Sequence, residues 1–376
     1  MTRAFTASRR QLTAQRLVSQ RLLSQRLLPP ASVVSPTDVV RHSLAMQAQD
    51  FPGAKWSVGV RSTGATDASI EQAIADRQFV RSWPMRGTLH FVAPEDLSWI
   101  LSLTGERMIR SAAGRHRQLE LDDADFALAT DLTTAALSGG TVMRRDALIS
   151  TIEAGGLALG GQRAAHVLLY LAARGHTVFG PVDGKQHTFA LLDEWVAAPR
   201  VLERDEALAE FALRYFTSHG PATIRDFAWW SSLTLTDARR GLAIAMERGT
   251  LETLIVDETE YIGPPPSAAP PAASVLALPG FDEYLLGYSD RSAPLAPEHF
   301  DRIVPGGNGM FLPTIVAGGE VVGTWRRTIG AKTVTVEALP FDGTTLTAAT
   351  LRGFRGAASA YADYLGRELR WKPQGD

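Results

Sequence analysis

The run Arg174-Gly175-His176-Thr177-Val178-Phe179-Gly180-Pro181-Val182-Asp183-Gly184-Lys185-Gln186-His187-Thr188-Phe189-Ala190 decides how this chain is read. Residues 176–179 and 187–190 have strand character, and Asp183-Gly184 between them suits the turn of a β-hairpin. Upstream, apolar periodicity predicts helices over 122–138, 144–154 and 162–174. Three helices followed by a hairpin form the winged helix–turn–helix pattern. The next stretch repeats it. Gly140, Arg145 and Asp146 recur 80 residues on as Gly220, Arg225 and Asp226, and Arg174-Gly175 recurs 74 residues on as Arg248-Gly249. The second copy is expected to have helices over 203–218, 223–231 and 236–248, with a wing of 250–256 and 260–262.

Working outward, Leu17, Leu22, Leu23, Leu27 and Leu28 predict a helix over 12–28, stopped by Pro29-Pro30. Ser35-Pro36-Thr37-Asp38 carries a cap, a proline at the first position and an early acid, so it opens a helix expected to reach about Gln47. Short helices over 53–62 and 67–76 and strands over 78–83 and 88–92 suggest a further unit of the same kind. A Pro/Ala-rich linker over 263–273 precedes strands near 274–278, 311–317, 320–327 and 332–338 and a helix over 345–369. The expected fold is mainly α with β wings. Three tandem winged helix-turn-helix modules (12–118, 119–200 and 201–262) would be followed by a C-terminal α+β, barrel-like domain over 274–370.

Composition narrows the chemistry. The 376 residues contain no cysteine, which excludes a disulfide scaffold, a Cys nucleophile and thiolate metal sites. The absence of a long apolar run argues against a membrane span, and a cytoplasmic protein is expected. Net charge is only −2, yet residues 1–63 hold nine basic side chains against Asp38 and Asp50, a local +7 that suits a polyanion. Lysines number four, so 34 of the 38 cations are arginines, forked donors that match phosphate.

Among chemical motifs, no phosphate-cradling Gly-Lys-Ser/Thr loop and no His-Glu-x-x-His occurs. His166 reads as a satisfied core or interface histidine, and His176 and His187 as a surface pair on opposed strands. Trp229-Trp230 reads as core. From spacing alone Met46-Gln47-Ala48-Gln49-Asp50 is a polar helix terminus; if the helix ends before Pro52, both amides can turn toward one cleft. Arg86, Thr88 and His90 are candidates to line a groove, or a strand with one wet face. Arg163 and Arg239-Arg240 stand early in the third helices of their units, where a winged helix meets the major groove, or they meet phosphate or solvent only.

Five of these stretches occur together and in order in one known family. Gln47-Ala48-Gln49, Arg86-Gly87-Thr88-Leu89-His90, the run from Gly220 to Ser231, Phe281-Asp282-Glu283-Tyr284-Leu285-Leu286-Gly287-Tyr288 and Gly323-Thr324-Trp325-Arg326-Arg327 resemble the AlkZ/YcaQ-like winged-helix DNA glycosylases, from about Arg16 to Gly366. The resemblance implies catalytic roles for Gln47 and Gln49 on the family's Gln-apolar-Gln motif. The candidates for DNA contact are Arg16, Arg86, Thr88, His90, Arg163, Arg239 and Arg240, and the resemblance implies duplex DNA, preferably alkylated, as partner. No metal, cofactor or obligate protein partner is expected, and no lysine lies in the motif for a Schiff-base step. The expected reaction is hydrolysis of the N-glycosidic bond of cationic N7-alkylated purines, with unhooking of interstrand cross-links as an extension. The alternative is a non-catalytic tandem winged-helix DNA-binding protein or transcriptional regulator.

Overall fold

A computed structural model describes residues 4–23, 33–184, 186–266, 274–341 and 344–372. The predicted helix end over 24–28 and the linker over 267–273 lie outside the described residues. The expectation of a mainly α fold is overturned: the chain is 49% helix and 21% strand, and its strands form three sheets rather than isolated wings.

The sheets explain the difference. β1 (Ala4–Thr6) runs parallel to β8 (Glu252–Val256), which pairs with β9 (Thr259–Gly263). A six-stranded sheet has the order β2-β4-β3-β6-β7-β5, from β2 (Ala45–Gln47), β3 (Val80–Met85), β4 (Thr88–Val92), β5 (Met143–Arg144), β6 (Thr177–Asp183) and β7 (Gln186–Leu191). The hairpins expected as separate wings therefore join edge to edge, through the pair Arg81↔Phe179. A five-stranded sheet follows β10 (Val275–Leu278), β11 (Thr314–Ala317), β12 (Glu320–Ile329), β13 (Thr333–Pro340) and β14 (Glu368–Lys372) in order. Its last strand closes parallel to β13 after helix Ala348–Tyr364.

Most helices form where capping chemistry places them. Ser35 and Asp38 exchange hydrogen bonds in a capping box before Pro36–Ser43; Asp122 with Asp125, and Thr223 with Asp226, do the same for Asp123–Leu137 and Ile224–Ser231. Gly175 and Gly249 both take a left-handed φ just beyond their helices, so the repeated Arg-Gly marks the same helix stop twice. The 25-residue helix Pro94–Gln118 was not anticipated. Helix Pro36–Ser43 ends four residues before Gln47, because Leu44 turns the chain with φ +65° into β2.

Three apolar clusters frame the site. Phe211, Tyr215, Phe216, Phe227 and Trp230 centre on helix Arg204–His219. Trp56, Phe79, Phe91, Trp325, Phe354 and Tyr361 join the N-terminal helices to the C-terminal sheet. Phe126, Leu148, Val167 and Phe189 fill the middle unit. Buried polar bonds tie these parts together. Arg61 binds both oxygens of Asp282 at 2.8 Å, and Asp226 accepts from Thr223, Ser289 and Asp290.

Candidate active site

The Gln-Ala-Gln stretch starts on the last residue of an edge strand, not at a helix end. In β2, Gln47 lies opposite His90 of β4, and the Ala48 amide continues the ladder by donating to the Leu89 carbonyl at 2.6 Å. The Leu89 amide donates in return to Oε1 of Gln49 at 3.2 Å. A backbone N–H accepts nothing, so this contact also fixes which end of the amide is oxygen. Gln49 is exposed at a cleft of about 840 Å³ shared with Trp83, Arg86, Arg107, His166 and Trp229. Gln47 is only 8% exposed and lies on the sheet face of His90.

Charged groups hold this strand on both sides. Buried Arg81 donates from Nε and Nη2 to the Ala48 carbonyl at 3.0 and 2.8 Å, and meets Nε2 of His187 at 2.9 Å. Burial holds the Arg81 guanidinium down at about 10 and, with the Arg81 charge, holds His187 at about 4, so a neutral ring accepts the bond. On the other edge, Oε1 of Glu283 accepts from the Gln47 backbone N–H at 2.8 Å, while Oε2 takes Trp230 Nε1 at 2.9 Å and His219 Nε2 at 3.3 Å. Burial alone would raise the Glu283 carboxyl. The His219 hydrogen bond and the Arg86 charge outweigh it and hold the group near 2. Glu283 is thus a sealed carboxylate directly behind the Gln strand.

The hairpin turn between β3 and β4 is Arg86-Gly87, with φ of +57° and +66°. This is the left-handed pair a two-residue hairpin demands, with arginine where asparagine is usual. It aims Arg86 at the cleft: Nη2 meets Nε2 of His90 at 3.1 Å, and the guanidinium lies 4.9 Å from the Trp229 ring. His90 is fully buried; burial and the Arg86 charge hold it at about 3, so it stays neutral and donates from Nδ1 to the Thr88 carbonyl.

A profile described as DNA glycosylase AlkZ-like matches residues 40–364. The chain belongs to the AlkZ-like DNA glycosylase family. It is 30% identical over 325 residues to an "Interstrand DNA cross-link repair glycosylase" of Streptomyces sahachiroi, covering 79% of this chain and 84% of that one. It is also similar to the solved structure of Streptomyces sahachiroi DNA glycosylase AlkZ, with a TM-score of 0.79 and 27% identity over 98% of this chain and 100% of that chain. As an AlkZ-like glycosylase the protein is an enzyme acting on DNA.

The remaining AlkZ-like candidates separate. Arg16 is 1% exposed, with Nε on the Pro221 carbonyl at 2.9 Å and its guanidinium over Tyr288, so it holds the fold and does not face DNA. Arg163 is committed to the carbonyls of Ala158, Leu119 and Glu120. Arg240 is exposed but paired with Asp205 at 2.6 Å, and Arg239 is exposed beside it. The Thr88 hydroxyl is enclosed without a hydrogen-bond partner. His176 and His187 do not meet, because each lies toward a different end of the β6–β7 hairpin. Trp230 is core, as expected, whereas Trp229 is 40% exposed. In helix Ile224–Ser231 the buried stripe is Phe227 and Trp230, three apart, which leaves Trp229 outside it. That spacing was the one available sign. Nothing local marked Arg81, and Glu283 stood in the Phe281–Tyr288 stretch without a role of its own.

Among the described residues no helix is long and apolar enough to cross a membrane, and no cluster of metal-ligating side chains occurs.

Proposed function

We propose that this enzyme hydrolyses the N-glycosidic bond of cationic N7-alkylated purines in DNA, with Gln49 as the water-positioning residue and Gln47 beside it. The observation that carries the reading is the pinned Gln49 amide, exposed at a cleft that also holds Arg86 and Arg107. An amide oxygen has two lone pairs, and Leu89 occupies one. The other is free to hold a water and to turn a dipole toward the positive charge that develops on the sugar. An amide is too weak a base to deprotonate water early. It suffices where the leaving base is already cationic and needs no protonation, which selects alkylated over neutral bases. The sealed Glu283 carboxylate adds a fixed negative potential behind the strand at no cost in reorganisation.

Because the similar Streptomyces sahachiroi protein is named for interstrand cross-link repair, cross-linked purines are included among the proposed substrates. The test is to incubate the enzyme with duplex DNA carrying one N7-methylguanine and quantify free base, then to follow strand separation of an N7-cross-linked duplex. Release by the wild type but not by Gln49→Ala supports the reading. No release from any cationic adduct removes it.

A further inference from the structure

Two arginines share the indole of Trp229, which lines the cleft with Arg86. The Arg86 guanidinium lies 4.9 Å and that of Arg291 5.1 Å from the centre of the Trp229 ring, and Arg291 also lies 5.1 Å from Phe311. Both side chains are partly buried, yet neither is within salt-bridge distance of a carboxylate among the described residues. The acids whose charges reach them are already engaged: Glu283 by the Gln47 backbone, Trp230 and His219, Asp226 by Thr223, Ser289 and Asp290, and Asp290 by the Ser292 amide. Arg291 spends Nε on the Leu285 carbonyl and Nη1 on that of Ser289; Arg86 spends Nη2 on His90. Nη1 of Arg86 and Nη2 of Arg291 carry no hydrogen bond, and neither is enclosed. Burial lowers both guanidiniums, and the Arg86 charge lowers Arg291 further, to about 10.

Two cations brought together, partly stripped of water and left without a carboxylate describe a site missing an anion. Contacts with aromatic faces offset only part of that desolvation. On DNA the anion is a phosphodiester, and planar forked donors are the side chains suited to it. We propose that Arg86 and Arg291, spaced by Trp229, grip the single phosphodiester flanking the nucleotide that enters the Gln49 cleft. This rests on the glycosylase reading of that cleft. Such a grip fixes the sugar against Gln49 while leaving the base unrestrained, and it adds Arg291 and Trp229 to the residues that select the substrate position.

The test is binding to an uncleavable duplex with a tetrahydrofuran abasic analogue, measured by anisotropy from low to high salt. Arg86→Gln and Arg291→Gln should each reduce the slope of log K against log salt by about 1, the share of one phosphate, and the double variant should lose no more than either alone. Arg291→Lys should restore most of the slope, and Gln49→Ala should not change it. A neutral methylphosphonate at one linkage beside the analogue should weaken the wild type about tenfold and leave Arg291→Gln unaffected. The wild-type methylphosphonate scan stands even where a variant fails to fold. Unchanged slopes, or a scan in which no linkage near the analogue matters, would overturn the proposal. Base release plays no part in these arms, so an enzyme that binds as described but releases no base would sink the glycosylase reading and leave the grip intact.

Discussion

At the scale of single residues, the site divides its labour between an exposed amide and a hidden carboxylate. Gln49→Ala is expected to reduce base release by about 10–10³-fold, the usual loss when one positioning or electrostatic group is removed. Affinity for duplex DNA should hardly change, since one neutral amide adds little beside arginine–phosphate contacts. Gln49→Glu retains an oxygen for the Leu89 amide and should keep a measurable rate. Equal rates for wild type and Gln49→Ala in single-turnover assays would place the chemistry elsewhere. Glu283→Gln is expected to destabilise the fold by about 2–4 kcal/mol, because three donors converge on its oxygens and an amide brings a fourth donor among them. A thermal melt and a base-release assay on the same sample check this. A variant that melts and reacts like the wild type would show that Glu283 neither holds the strand nor biases the site.

Between residues and molecule stand β2 and the β3–β4 turn. Gly87 has φ +66°, a region that L side chains tolerate poorly. Gly87→Ala should lower stability by about 1–2 kcal/mol and, by shifting its neighbour Arg86, weaken DNA binding more than an equally destabilising change elsewhere. Urea melts paired with anisotropy titrations decide it; intact affinity in a destabilised Gly87→Ala would free the turn of any role in binding. This scale also shows what the chain reveals on reading. A helix announced by its cap is legible, as with Ser35-Pro36, because a cap is a local bargain between a side chain and a nearby backbone amide. That the Gln motif follows on from a strand was not legible. Its partners are Leu89 to Val92, Arg81 and Glu283, and no pattern within the motif encodes pairing with residues so far away. Arg16 misled for a related reason: a basic residue in a basic segment signals a surface, but Tyr288 and the Pro221 carbonyl claim it from more than 200 residues on. The joining of hairpins into one sheet escaped notice because a hairpin's own sequence does not say what covers its edge.

For the whole molecule, net charge and local charge make separate statements. The chain is nearly neutral, at −2, so DNA binding has to come from placed arginines and should collapse with salt. A flat affinity between 50 and 200 mM salt, taken as orders of magnitude for the useful range, would remove DNA as the partner. Stability should also depend on pH with a definite sign. His42, His90 and His187 are all held below the ordinary 6.5, chiefly by burial, at about 4, 3 and 4. Each stays neutral in the fold while the unfolded chain takes up a proton, so their contribution is complete above about 6.5 and is lost as pH falls toward 4. Glu283, depressed from 4.5 to about 2, adds a second loss only below 4.5. Urea midpoints at mildly alkaline, mildly acidic and acidic pH should fall in that order. Midpoints that stay level from neutrality to pH 5 would contradict the buried neutral histidines.

The Gln47 backbone N–H waits for a carboxylate 236 positions later in the chain, and the pairing of Ala4 with Thr253 waits about as long. At ribosomal speeds of about 5–20 residues per second, the interval between making the motif and making its anchor is roughly 10–50 s. Throughout that time the nascent polypeptide has the amides but not the carboxylate that holds their strand. An enzyme that breaks bonds in the genome thereby reaches its working shape late in synthesis, and chains abandoned before residue 283 are released without a completed site.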